Sequence, residues 1–224
     1  MNPLLVLGAL AADWDRLGPR LTPGARRELT VLLRGVRAAE SGWAAGGEPV
    51  GERAVRSVLG GLPDAEAARL LRTAGDARYA DAAPLPHHGY DHADLCMLVL
   101  DGNPMVGPVF GPVRRRLLAA PALSRAEVLR QGGDPGDRRL ITLSDAHGRR
   151  VLPAFQFEAG PLPWRVVLEV NALLGAGTDP WGAADWWLSG HAWWDAAPAG
   201  LLGRGRDEEL RQAARALCGP DEGD

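Results

Sequence analysis

The chain has 224 residues, of which 46% are hydrophobic and 24% charged; this is the composition of a folded globular protein and excludes a wholly disordered one. No apolar run reaches the ~18 residues that a membrane span needs, and a net charge of −3 argues against a general binder of polyanions. The two cysteines, Cys96 and Cys218, are too few for a disulfide framework, so we expect reduced thiols in a cytoplasmic protein.

Arginine alone carries the basic charge, because all 25 Lys and Arg positions hold arginine. This usage is typical of GC-rich bacterial genomes, so the number of arginines is not by itself a sign of phosphate recognition. The placement of charge is more informative: residues 107–150 hold 9 arginines against 4 acids, whereas residues 151–224 hold 5 against 11. A basic middle segment is therefore followed by an acidic C-terminal segment.

Residues 1–75 predict an N-terminal helical domain. Thr22 followed by Pro23 is a typical helix start, and the apolar residues after it recur at helical spacing. Residues 76–90 are rich in proline, alanine and histidine and have little apolar period, which predicts a linker.

Residues 91–150 predict a mixed segment that begins with helices. Asp91 can cap a short helix, and Ser124 with Glu127 has the pattern of a capping box. Residues 132–139 contain three glycines and one proline, so no helix is expected there.

A change of period after residue 139 predicts a β-hairpin. Apolar residues alternate over 140–145, a turn is expected at His147-Gly148, and residues 151–157 form the returning strand.

Residues 151–224 are predicted to continue as a small helical domain. Pro163 and Asp179 are expected to start helices, Gly175 to end the first of them, and Asp207 to cap the last helix. The predicted fold class is mainly α with one small β-hairpin, an N-terminal helical bundle plus a small C-terminal helical domain.

One cluster in the sequence could supply metal ligands: His87, His88, Asp91, His92 and Asp94. A structural zinc site needs four ligands, and no nearby cysteine completes this set. We therefore expect a solvated linker here, with no metal and no cofactor.

The sequence contains no P-loop, no dinucleotide fingerprint and no Gly-x-Ser-x-Gly elbow. Ser189-Gly190-His191 has no evident acid partner, so we expect it to be a helix end. A protein without enzymatic activity is predicted.

Six of the eight tryptophans fall between Trp164 and Trp194. The members of the pairs Trp186-Trp187 and Trp193-Trp194 cannot all point into one core from a single helix face. We expect at least one member of each pair near the surface, where tryptophan often supplies binding energy at protein interfaces. The alternative is a small aromatic core with a partly exposed rim.

The C-terminal motifs follow one another in a recognisable order: Leu174-Gly175, Trp187-Leu188, His191, Pro198, Leu201-Leu202 and a final helix over 207–217. This order resembles the toxin-binding domain of Xre/MbcA/ParS-type antitoxins. Upstream, Pro153-Ala154-Phe155-Gln156-Phe157 resembles the strand that often precedes that domain. The resemblance covers about the last third to half of the chain and leaves residues 1–106 unassigned.

The resemblance implies an antitoxin that binds a RES-domain, NAD-degrading toxin and shields its cleft. Six residues are then candidates for partner binding: Trp186, Trp187, His191, Trp193, Trp194 and Arg204. Among them, Trp187 lies on the apolar stripe of its predicted helix with Ala184 and Leu188, so its replacement is expected to affect stability.

The alternative function is a DNA-binding regulator that uses the basic 107–150 segment. Family members carry a helix-turn-helix before the strand, but the recognition helix would here fall on the glycine-rich residues 132–139. Specific DNA binding is therefore expected to be weak or absent. The sequence leaves open whether the chain forms a homodimer.

Overall fold

The computed structural model describes residues 2–40, 50–76, 89–158, 160 and 162–218. It is mainly helical and has a small three-stranded antiparallel sheet, which confirms the predicted fold class. The chain divides into an N-terminal unit, Met1–Val113 with Ala146–Gly148, and a C-terminal unit, Arg114–Asp145 with Arg149–Asp224.

The unit boundary differs from the predicted domain limits. Residues 91–113 belong with the N-terminal unit, whereas the sequence had grouped them with 114–150. The predicted linker at 76–90 lies largely outside the described residues, since 77–88 are not among them. It stays a prediction.

The N-terminal unit is built from helices. They are α1 (Pro3–Ala12), α2 (Trp14–Leu17), α3 (Pro23–Glu40), α4 (Val50–Gly61), α5 (Asp64–Asp76), α6 (His92–Cys96), a π-helical turn (Met97–Asp101) and α7 (Gly107–Leu118), in which the unit boundary falls. Helix α1 packs against α4, α5 and α6, so its Val6, Leu7 and Leu10 are fully buried. An almost wholly apolar helix is expected in such a central position.

The C-terminal unit combines the sheet with helices. Its elements are β1 (Ala122–Ser124), α8 (Arg125–Arg130), β2 (Leu143–Ser144), β3 (Arg150–Pro153), α9 (Arg165–Leu173), α10 (Pro180–Leu188) and α11 (Asp207–Cys218). The strand order is β1-β3-β2, and both pairings are antiparallel.

Four of the predicted helix starts are confirmed by their caps. Side-chain oxygens of Thr22, Asp91, Ser124 and Asp179 each accept a hydrogen bond from the backbone N–H three residues further on, at 2.8–3.3 Å. Each cap satisfies one N–H that the first helical turn leaves without a partner.

The hairpin is confirmed as the β2–β3 pair, but its strands are shorter than predicted. Strand β3 ends at Pro153, and residues Ala154–Gln156 form a 3-10 turn. The turn brings the Gln156 side chain back onto the backbone, where its Nε2 donates to the carbonyl of Pro153 at 3.2 Å. The third strand, β1, was not predicted, because a three-residue segment shows no readable period.

A buried polar network joins the sheet end to α9 and α10. The Gln156 Oε1 accepts from the backbone N–H of Ile141 at 2.7 Å, and its Nε2 donates to the Ile141 carbonyl at 3.0 Å. The Asn171 Nδ2 donates to the Arg139 carbonyl at 2.7 Å, and its Oδ1 accepts from the Trp187 Nε1 at 2.8 Å. Gln156, Asn171 and Trp187 are all fully buried, and buried polar groups that are satisfied in this way fix one arrangement of their elements.

Residues 131–142 contain turns and no helix, as the glycine content predicted. Helix α8, the first helix of the expected helix-turn-helix, has six residues. The part of the chain that the structure describes also contains no helix with the length and apolar character to cross a membrane.

Candidate partner-binding surface

The loop after α10, residues 189–197, which we call the tryptophan loop, folds back on the helix. The backbone N–H of His191 donates to the Ala196 carbonyl at 3.1 Å, and the His191 carbonyl accepts from the N–H groups of Trp194 and Asp195 at 3.1 and 3.0 Å. Asp195 has a φ of 51°, a left-handed conformation that lets the chain close so short a loop. The loop therefore holds both of its tryptophans in defined positions.

Trp187 belongs to the core, as the stripe on its helix predicted. Its ring is 5.4 Å from that of Phe155 and 5.0 Å from that of Trp186, centroid to centroid. Its only polar group is used by the bond to Asn171. Trp187 therefore orients α10 and offers no surface to a partner.

The expected exposure of one member of the first tryptophan pair is wrong, because Trp186 is also buried, at 7% exposure. The returning loop covers it. The rings of His191 and Trp194 lie 5.4 and 6.5 Å from the Trp186 ring, and the His191 Nε2 makes a hydrogen bond of 3.1 Å with the Trp186 carbonyl. Neighbouring residues on a helix can thus both be buried when a second layer of chain covers the outer one.

The second pair behaves as predicted, since Trp193 is 70% exposed and Trp194 is half-buried. Their rings are nearly perpendicular, at 89°, with centroids 6.3 Å apart. Perpendicular contact is a favourable geometry for aromatic rings, so Trp194 supports the exposed ring of Trp193.

The two rings form one wall of a groove of about 300 Å³, which we call the tryptophan groove. The opposite wall is provided by α11. The groove is lined by Trp193, Trp194, Glu209, Gln212, Ala213 and Ala216. The helical residues are spaced i, i+3, i+4 and i+7 and so share one face of α11.

Sequence reasoning missed the α11 wall, although this spacing was a signal for it. The apolar residues of that helix at helical spacing are Leu210, Ala213, Ala214 and Leu217, of which Leu210 and Ala214 are fully buried. The groove uses the neighbouring face, whose residues are small or polar. Such a face becomes part of a site only when another segment of the chain, here the tryptophan loop, packs next to it.

A carboxylate, that of Glu209, lies in the groove lining and is paired with an arginine. The Arg206 Nε donates to the Glu209 Oε1 at 2.8 Å, and a second bond from this guanidinium reaches the other carboxylate oxygen. Together with a smaller contribution from Trp194, these bonds hold the pKa of Glu209 below its ordinary value. Glu209 is therefore ionised at neutral pH.

The remaining candidate residues lie outside the groove lining. His191 stabilises the loop through its contacts with Trp186. Arg204 is exposed and follows the 3-10 turn Pro198–Leu201. The structure thus brings two of the six predicted residues, Trp193 and Trp194, into the groove.

Several of the polar residues that the sequence suggested as metal ligands or as a catalytic group make local hydrogen bonds. His87 and His88 lie outside the described residues, and Asp91 and Asp94 form the two halves of the α6 capping box. Within the described ranges, no group of three or more His, Cys, Asp or Glu side chains could hold a metal ion. The Ser189 hydroxyl donates to Asp185 at 3.0 Å.

In comparisons with known proteins, no family model, no curated protein and no solved structure matched this chain.

Proposed function

We propose that this chain is an antitoxin-like protein that binds a protein toxin through the tryptophan groove of its C-terminal unit. The observation that carries the proposal is the 70% exposure of Trp193 on a supported loop beside a groove. A tryptophan held in this way gives a partner a large apolar contact at little entropic cost, because its position is already determined.

The expected partner is a RES-domain, NAD-degrading toxin. The resemblance of the C-terminal motifs to the toxin-binding domain of Xre/MbcA/ParS-type antitoxins suggests this class. Electrostatics support it, since residues 151–224 carry 5 arginines against 11 acids. An excess of acids in this segment favours association with a basic cleft.

In this proposal Trp193 enters a pocket of the toxin, while Trp194 and the α11 wall flank it. Aromatic side chains at the centre of an interface often provide most of the binding energy. Arg204, which is exposed, provides a polar contact. The antitoxin-like protein shields the toxin and performs no chemistry of its own.

The test is binding of the purified chain to a RES-domain toxin encoded beside its gene, together with the NAD content of cells that produce both proteins. Trp193→Ala should weaken the complex by about 2 kcal/mol or more, as expected for a central tryptophan, and should let the NAD content fall. Phe110→Ala is the matched control, because Phe110 is an exposed aromatic residue, at 51%, of the N-terminal unit.

The proposal is wrong if folded Trp193→Ala protein binds this toxin as tightly as the unchanged chain. It is also wrong if Phe110→Ala weakens binding by the same amount. Thermal unfolding of each variant shows whether it is folded.

A further inference from the structure

A second groove of the C-terminal unit is lined by arginines that are far apart in sequence. It has a volume of about 330 Å³, and we call it the arginine groove. Its arginines are Arg125 at the start of α8, Arg138 in the following turn and Arg150 at the start of β3. Arginine usage explains why these residues are not lysines, but it does not explain why three cations from separate elements line one groove.

The backbone of the groove holds at least one of these cations in place. The Arg125 Nη1 donates to the Pro135 carbonyl at 3.0 Å, and Pro135 itself is buried. Gly136 and Gly177 also line the groove, so that part of its surface is backbone.

The single carboxylate in the lining is already neutralised by an arginine outside it. Asp137 accepts hydrogen bonds from the Arg139 Nε at 3.0 Å and from its Nη2 at 2.7 Å. These bonds, with a backbone bond from Arg139, hold the pKa of Asp137 below its ordinary value. Among the described residues, no carboxylate forms an ion pair with Arg138 or Arg150.

The nearby carboxylates outside the lining are engaged as well. Asp134 accepts from the backbone N–H of Gly136 at 2.8 Å, and Asp179 caps α10 through Gly182. The groove lining therefore contains three arginines and one carboxylate, and that carboxylate is paired with Arg139; this excess of cations favours a positive local potential in a chain of net negative charge.

We infer that the arginine groove binds the phosphate group of a phosphorylated molecule. Guanidinium groups present planar pairs of N–H donors that match the oxygens of a phosphate, and such charge-assisted bonds are stronger than neutral ones. The groove volume accommodates a diphosphate. This binding site is separate from the tryptophan groove and does not depend on the function proposed above.

The experiment is a calorimetric titration of the full chain with inorganic pyrophosphate in a buffer of low ionic strength. We expect a Kd of about 1 mM or tighter. Arg150→Gln and Arg138→Gln should each weaken binding about tenfold, since a hydrogen bond to a charged group contributes that much. Arg149→Gln is the matched control: it removes the same charge from the neighbouring residue, which pairs with Asp145 and is absent from the groove lining.

A DNA duplex added as competitor identifies the source of the phosphate. Displacement of pyrophosphate by the duplex would assign the groove to a nucleic-acid backbone, and no displacement would assign it to a small phosphorylated molecule. The inference is overturned if the unchanged chain does not bind millimolar pyrophosphate. It is also overturned if Arg149→Gln loses as much affinity as Arg150→Gln, because binding would then report overall charge rather than this groove.

Discussion

Replacement of Trp187 by phenylalanine tests whether the buried polar network holds the C-terminal unit together. Phenylalanine retains most of the contact with Phe155 but has no donor for the Asn171 Oδ1, which now accepts from the indole at 2.8 Å. A buried acceptor left without its donor costs about 1–3 kcal/mol, and the smaller ring leaves a cavity that costs roughly 1 kcal/mol more. We therefore expect Trp187→Phe to lower the free energy of unfolding by about 2–4 kcal/mol.

The assay is guanidinium unfolding of the full chain followed by far-UV circular dichroism. Trp193→Phe is the control, because the same substitution at a side chain that is 70% exposed should change the free energy of unfolding by less than about 0.5 kcal/mol. If the two variants have equal stability within that margin, the Trp187–Asn171 bond does not stabilise the unit and the reasoning is refuted.

Two other predictions concern acid stability and DNA. Hydrogen bonds from Arg211 and Arg165 hold the pKa of Glu169 below its ordinary value, so their stabilisation is present above the unfolded-state pKa and is lost as the pH falls through the lower folded-state pKa. Between about pH 5 and pH 3 the midpoint of thermal unfolding should fall less for Glu169→Gln than for the unchanged chain. For the variant Glu158→Gln, in which an exposed residue is replaced, the midpoint should fall as much as for the unchanged chain. Equal falls for all three proteins would contradict the prediction. Residues 131–142 contain no helix that could enter the major groove of DNA, so we expect no operator sequence to be bound with nanomolar affinity at physiological salt. Selection from a random duplex library checks this. Recovery of such a sequence would disprove the prediction.

Local chemistry made several elements predictable. The caps at Thr22, Asp91, Ser124 and Asp179 were readable because each depends on an oxygen and an N–H three residues apart. The absence of a helix over 132–139 was readable for the same reason, since glycine and proline act on their own backbone.

Whether the burial of a tryptophan could be predicted also depended on whether its contacts are local. Trp187 was predictable from the stripe on its own helix. Trp186 was not, because its burial depends on His191 and Trp194 returning over it. Helical spacing tells which side chains share a face, and it is silent on whether a later segment covers a second face.

The sequence by itself determined where several helices begin, which segment forms the hairpin and that at least one of Trp193 and Trp194 lies near the surface. Only the tertiary structure decided which residues lie next to these two tryptophans. The α11 face that carries Glu209 and Gln212 becomes a groove wall because the tryptophan loop packs next to it. The arginine groove has the same origin. Its cations lie at positions 125, 138 and 150, and they line one groove because the sheet and its turns bring distant segments together, a non-local effect that no local pattern encodes.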